Sequence, residues 1–162
     1  MIKGKSISLH RLDDEHLEDV YHILMNDKIG CCYATDYQEL RPNQLIRFLH
    51  TTEPGTGSKA FVIKHKDIVV GFITLNNIHS MRRSAYIGIV GIAPKNQNKL
   101  HGVDALRILI NYSFNVLNLH RIYGHTLSDN PKMSLLYKRG SWRLEGIEKE
   151  FIYLNGEWLD KE

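Results

Sequence analysis

The segment from Tyr86 to Leu127 constrains the fold of this chain more than any other. An apolar run, Tyr86-Ile87-Gly88-Ile89-Val90-Gly91-Ile92-Ala93, is stopped by Pro94 and leads into the polar stretch Gln97-Asn98-Lys99-Leu100-His101-Gly102. From Gly102 to Leu117 the residues Ala105, Leu106, Leu109, Ile110, Ser113 and Leu117 recur at helical spacing, and Arg121 to Leu127 alternates as a strand. Strand, loop, helix and strand form a unit with one crossover helix. A strand that ends in a polar loop and a helix start presents backbone N–H groups and the positive end of the helix dipole to an anion. A phosphate-bearing ligand is therefore the first chemistry to expect here.

The rest of the chain reads as hairpins and helices around that unit. Ser6 to Leu12 alternates as a strand, and Asp13 or Asp14 caps a helix with Leu17, Val20, Tyr21 and Leu24 on one face. Pro42 opens a second helix with Leu45, Ile46 and Leu49 inward. Glu53 to Ser58 is a Gly/Pro/Ser-rich loop. Phe61-Val62-Ile63 and Ile68 to Leu75, joined by His65-Lys66-Asp67, form a hairpin. Asn130-Pro131 starts a short helix through Tyr137, and Asn155-Gly156 joins Leu144–Leu154 to Glu157–Leu159. The order is β-α-α-β-β-β-α-β-α-β-β. Glycines in a strand mark a bulge or a close backbone approach, which applies to Gly88 and Gly91.

Bulk properties exclude several classes. At 162 residues the chain has room for one domain, spanning 1–162, with a real core. No apolar run has the length of a membrane span, and Met1-Ile2-Lys3-Gly4-Lys5-Ser6 lacks the apolar core of a signal peptide. The expectation is a cytoplasmic protein with no membrane partner. Cys31 and Cys32 are adjacent and lack matching histidine spacing, so they read as reduced thiols and no metal site is expected. The net charge of +3 is spread along the chain without the dense clustering of a nucleic-acid binder, which ranks that function last.

Two motifs, on the elements where they belong, carry a family resemblance. Gln97-Asn98-Lys99-Leu100-His101-Gly102 matches the first and last positions of Gln/Arg-x-x-Gly-x-Gly/Ala, with Leu100 where the middle glycine is usual. Asn130-Pro131-Lys132-Met133-Ser134-Leu135-Leu136-Tyr137 matches Asn-x-x-(Ala/Ser)-x-x-x-Tyr with its small residue one place late, and Gly140-Ser141-Trp142 follows. The chain resembles the GNAT superfamily of acyl-CoA-dependent N-acyltransferases. Asn118-Leu119-His120-Arg121-Ile122-Tyr123 and Glu145-Gly146 are similar to the branch holding ribosomal-protein N-terminal and spermidine acetyltransferases.

The resemblance implies a mixed α/β (α+β-like) single domain. Its central, mostly antiparallel sheet splays between the fourth and fifth strands, here Ala85–Ala93 and Arg121–Leu127, with helices on both faces. It implies acetyl-CoA as co-substrate. The backbone from Asn98 through Lys99, Leu100, His101 and Gly102 to Val103 would cradle the pyrophosphate, and the loop accommodates Leu100 if its φ is negative. Val90, Gly91 and Ile92 would flank the pantetheine arm, and an N–H near Ile92 would stabilise the oxyanion. Asn130 would bind the pantetheine or cap its helix. Tyr137 would protonate the leaving thiolate, since a phenol near 10 and a thiol near 8.5 are close to matched. Asp36, Glu39, His79 and His125 are candidates for the base, none of them singled out. Asp36-Tyr37-Gln38-Glu39 lies where the family builds its acceptor pocket.

The leading reading is transfer of acetyl to a primary amine by direct attack in a ternary complex. The acceptor is left open among a protein N-terminus, a polyamine, an aminosugar and an antibiotic. The alternative is a non-catalytic acyl-CoA-binding module of the same fold. It is kept by Leu100 and by a chain that closes at Leu159-Asp160-Lys161-Glu162, where a full final strand usually continues, so that the acceptor site would be either incomplete or completed by a second subunit. Phe151-Ile152-Tyr153-Leu154 is apolar on both faces beside a short partner strand, from which we expect a homodimer.

Overall fold

In a computed structural model of the chain, alternation along the central strands sorts side chains onto two faces of one sheet. The structure describes residues 1–25, 44, 49, 56–140, 142–154 and 156–162. In β3 (Gly57–His65), Ala60 and Val62 enter one core and Phe61 and Ile63 the other. The first core takes Val20, Ile23 and Leu24 from α1 (Leu17–Leu24). The second takes Ala105, Leu106 and Leu109 from α2 (His101–Asn115). A helix therefore covers each face, as expected from the resemblance.

The sheet has six strands in the order β1-β2-β3-β4-β5-β6, comprising β1 (Ile2–Lys3), β2 (Ser8–Arg11), β3, β4 (Ile68–His79), β5 (Ser84–Ile92) and β6 (Arg121–Tyr123). All neighbours are antiparallel except β5 and β6, which the crossover through α2 makes parallel. A helix α3 (Pro131–Arg139) follows β6, and β7 (Glu148–Leu154) with β8 (Glu157–Lys161) forms a separate hairpin. The strand Ile2–Lys3 was not expected, so the fourth and fifth strands of the sequence reading are β5 and β6.

The splay lies between these two strands. They pair only through Ser84↔Arg121, Ala85↔Ile122 and Tyr86↔Tyr123, while β5 runs on beside β4 to Ile92. One irregularity on the other side of β5 matters. Ile73 pairs with Val90 and Leu75 with Ile87, so Thr74 stands opposite both Gly88 and Ile89. This is a bulge, and the Ile89 N–H donates to Thr74 Oγ1 at 2.9 Å. A Cβ on Gly88 would overlap that hydroxyl, and one on Gly91 would overlap the Phe72 ring. The bulge swaps faces along β5: Ala85 and Ile87 enter the α2 core, and Ile89 the α1 core.

Several boundaries move. Gly57 and Ser58, expected in a loop, belong to β3. The two-residue link Lys66-Asp67 has both φ values positive (48° and 63°), the pattern of a tight hairpin turn. The strand expected from Arg121 to Leu127 stops at Tyr123, and the one expected from Leu144 begins at Glu148. Leu127 still bridges Lys161, and Thr126 and Glu162 exchange backbone hydrogen bonds of 3.0 and 2.9 Å, so the hairpin is tied to the segment after β6. Leu49 is helical and buried. The expectations on Cys31, Cys32, Asp36, Tyr37, Gln38, Glu39, Pro42, Leu45, Ile46, residues 53–55 and Asn155 lie outside the described residues.

Candidate functional site

The open flank of β5 faces a cleft of about 400 Å³ closed by the start of α2 and by α3. Val90, Ile92, Gln97, Asn98, Leu100, His101, Gly102, Val103 and Asn130 all line it. Gly91 and Lys99 do not. Gly91 points under Phe72, which leaves only its backbone near the cleft.

The loop is built for an anion. The first N–H groups of α2 lack helical partners by construction, and the first one bonded inside the helix is Asp104, to the Leu100 carbonyl at 3.0 Å. The carboxylate of Asp104, which sits in that first turn, is turned onto Ser6, accepting from its N–H at 2.8 Å and its hydroxyl at 3.2 Å. His101 is buried, and its Nδ1 has no partner among the described residues. Burial first, then His65 and Lys99, lower its pKa below the usual 6.5, which favours a neutral ring. Gln97 latches the loop: its Nε2 donates to the Ile92 carbonyl at 3.2 Å and its Oε1 accepts from Lys132 Nζ at 3.0 Å.

Leu100 does not meet the condition set for it. Its φ is +64°, not negative, and it stands as the N-cap of α2. Asn98, at φ 61°, is left-handed too, a conformation asparagine tolerates and leucine does not. Leucine here occupies the backbone conformation glycine would favour. Asn130 caps α3, accepting from the Met133 N–H at 3.1 Å, one of the two uses expected of it.

Lys132 and Arg139 were missed. They lie seven residues apart on α3, two turns along one face, and both border the cleft. That spacing beside Asn130 is the sequence signal for them.

Tyr137 lies elsewhere, in a second cavity of about 900 Å³ beyond the end of the β5–β6 pairing. Its hydroxyl donates to the His125 carbonyl at 3.4 Å, and a Cβ on Gly124 would overlap that hydroxyl. Burial pushes the phenol up to about 12, so it is protonated at any working pH. That revises the expected match: full transfer to a thiolate near 8.5 is uphill by roughly 5 kcal/mol. The Ile87 carbonyl borders Gly124, so the vertex of the splay is near Ile87. Ile92 lies five residues further along β5, roughly 16 Å at strand rise, at the loop end of the cleft. The backbone of β5 nearest Tyr137 is therefore that around Ile87 and Gly88, with Ile92 further along the cleft.

Of the candidate bases, His79 is half-buried and its Nδ1 accepts from the Arg82 N–H at 3.2 Å in a turn. His125 stands at the vertex. The Tyr86 hydroxyl is 2.9 Å from its Nδ1 and 3.1 Å from its Nε2, and the two rings stack at 5.1 Å. At the rim of this cavity Arg121 pairs with Glu145 and holds its carboxyl down to about 2. Among the described residues no three His, Cys, Asp or Glu side chains gather to hold a metal, and no helix is long and apolar enough to cross a membrane.

Residues 8–162 match the family model of the acetyltransferase (GNAT) domain. The spermidine N(1)-acetyltransferase of Vibrio cholerae is 36% identical over 92 residues, which are 57% of this chain and 53% of that protein. The chain thus matches about half the length of that relative. The ribosomal-protein-serine acetyltransferase of Escherichia coli is 23% identical over 164 residues, covering 97% of this chain and 90% of its own. A crystal structure of the Vibrio cholerae spermidine N-acetyltransferase in complex with CoA and spermine superposes with a TM-score of 0.84 at 26% identity, covering 96% of this chain and 92% of that one.

Proposed function

Since the chain belongs to the GNAT acetyltransferase family, we propose that it moves acetyl from acetyl-CoA to a primary amine by direct attack in a ternary complex. The observation that carries this reading is the meeting of two features on one strand. The open flank of β5 leads from the free N–H groups of α2 to a vertex under a protonated tyrosine. In this reading, residues 1–162 work as one domain. The backbone from Asn98 to Val103 holds the pyrophosphate, with Lys99 above it. Val90, Gly91 and Ile92 flank the arm, and Asn130 positions the start of α3 against it. Acetyl-CoA brings the activated thioester.

Tyr137 acts best as a relay. A free phenolate is disfavoured at about 12, so its hydroxyl passes a proton to the sulfur as it receives one. A hydroxyl held protonated at the vertex of the splay supports this reading over a module that only binds acyl-CoA.

Among acceptors we place polyamines first, on the likeness to spermidine acetyltransferases. A protein N-terminal amine comes second, on a weaker likeness that spans almost the whole chain. We also propose a homodimer through the hairpin, where Phe151, Tyr153 and Trp158 expose aromatic surface.

The test is thiol release from acetyl-CoA with spermidine, spermine, aminosugars and short peptides, for the wild type and Tyr137→Phe. Release that depends on one amine class and falls at least about 100-fold in kcat in the variant, with coenzyme A affinity unchanged, is the expected outcome. Binding of coenzyme A with no amine releasing thiol would return the binding module.

A further inference from the structure

We propose that His125, paired with the Tyr86 hydroxyl, is the group that takes the proton from the acceptor amine; the inference rests on the acetyl-transfer reading above and adds to it the missing base. Placement is the first argument. β5 and β6 stop pairing at Tyr86↔Tyr123, and the backbone of Gly124 and His125 follows at once. His125 therefore sits at the vertex and lines the same cavity as Tyr137. The Tyr137 hydroxyl rests on the His125 carbonyl, so the two groups are joined through one residue.

Chemistry is the second argument. His125 is faced by Tyr86 from β5, Tyr123 from β6 and Tyr137 from α3, and it feels Glu148 of β7 and Lys161 of β8. Glu148 and Lys161 are ion-paired at 2.8 Å, so neither imposes a full charge on the ring. Burial and then Lys161 lower the imidazole below its ordinary 6.5, which leaves it neutral and able to accept at pH 7. The Tyr86 hydroxyl lies within 3.1 Å of both ring nitrogens and the two rings stack, so Tyr86 holds the imidazole in place.

The protons balance. His125 takes one proton from the ammonium, and the freed nitrogen lone pair forms the C–N bond to the thioester carbonyl. When the C–S bond breaks, the nitrogen gives up a second proton, which Tyr137 relays to the departing sulfur. The imidazolium returns its proton to solvent. The products are the N-acetyl amine and the free thiol of coenzyme A.

The experiment measures kcat/KM for the best amine against pH for the wild type, His125→Gln, His125→Ala and Tyr86→Phe, with coenzyme A Kd and thermal midpoint as controls. His125→Gln is expected to lose about 100-fold or more at pH 7 and to lose the acidic limb that the wild type shows below about 6.5. Added imidazole is expected to restore His125→Ala at least about tenfold, which a structural role would not produce. An acidic limb retained in His125→Gln, or a loss under about threefold, overturns the proposal. If neither His125 variant folds, Tyr86→Phe decides: a displaced limb supports the pair, and an unmoved one overturns it. A wild type that acetylates no amine would sink the acetyl-transfer reading itself, a result distinct from all of these.

Discussion

Leu100 is the one position where the chain departs from the glycine of its family loop, and its backbone adopts the left-handed conformation all the same (φ +64°). A β-carbon in that conformation costs about 1–2 kcal/mol. The side chain offers little in return, since 66% of it is exposed. Replacing it tests the strain directly, provided the lost contacts are separated from the backbone term. Leu100→Ala removes the contacts, worth about 0.5–1 kcal/mol for a side chain one-third buried, and keeps the β-carbon. Leu100→Gly removes both, and adds about 0.4–1 kcal/mol of unfolded-chain entropy. Glycine should therefore be more stable than alanine at position 100 by about 0.5–1 kcal/mol. At an unstrained position the order is reversed by a similar amount.

The assay is chemical denaturation of the two variants side by side, with a thermal midpoint difference of about 2 °C in favour of glycine as the companion reading. Coenzyme A affinity is measured on the same proteins. Because the backbone is already in glycine's conformation, Leu100→Gly should leave the phosphate cradle intact and keep the Kd within a few-fold of the wild type. Alanine more stable than glycine would show that residue 100 is not left-handed in solution. A tenfold loss of coenzyme A affinity in Leu100→Gly would show that the side chain itself, which borders the cleft, makes the contact.

Other perturbations separate the two cavities. Gly124→Ala puts a β-carbon into the Tyr137 hydroxyl, and should cost about 1–3 kcal/mol and lower kcat while coenzyme A titration gives an unchanged Kd. Lys132→Ala releases Gln97 from α3; coenzyme A affinity should fall several-fold in calorimetry with stability within about 0.5 kcal/mol, since the bond is exposed. The folded pKa of Tyr137 is raised from 10 to about 12, so its contribution to stability is complete below pH 10 and is lost as pH rises towards 12. Denaturation from pH 9 to 11 should show the wild type losing about 1 kcal/mol relative to Tyr137→Phe. Trp158→Lys, at an aromatic 59% exposed on the hairpin, should yield monomer in sedimentation where the wild type is a dimer; a wild type monomeric at all concentrations refutes the interface.

How much of this was legible in the sequence depends on whether the controlling contact is local. The β-branched and aromatic run Phe61-Val62-Ile63 is a property of one strand, and it announced that strand and its hairpin. The phosphate loop was equally local: six of its residues, Gln97, Asn98, Leu100, His101, Gly102 and Val103, surround one cleft. The φ of Leu100 was not legible because side-chain size predicts what a residue prefers, not what neighbouring structure imposes. The loop and the start of α2 set its φ, and the leucine complies at a cost. β6 ends at Tyr123, and the next residue, Gly124, has no room for a side chain under the Tyr137 hydroxyl, a contact made across thirteen residues of chain.

The vertex was the least legible part for the same reason. Tyr86 alternates correctly within β5, so nothing in its own surroundings marks it as more than a strand residue. It meets His125, 39 residues later, only because the crossover through α2 lays β6 parallel to β5 in the register Tyr86↔Tyr123. Pairing two residues further along, and no splay, would bury both side chains in an ordinary ladder. The chemistry proposed for the pair is thus a consequence of where two strands stop pairing. A variant that extends that pairing should silence the site even with Tyr86, His125 and Tyr137 all in place.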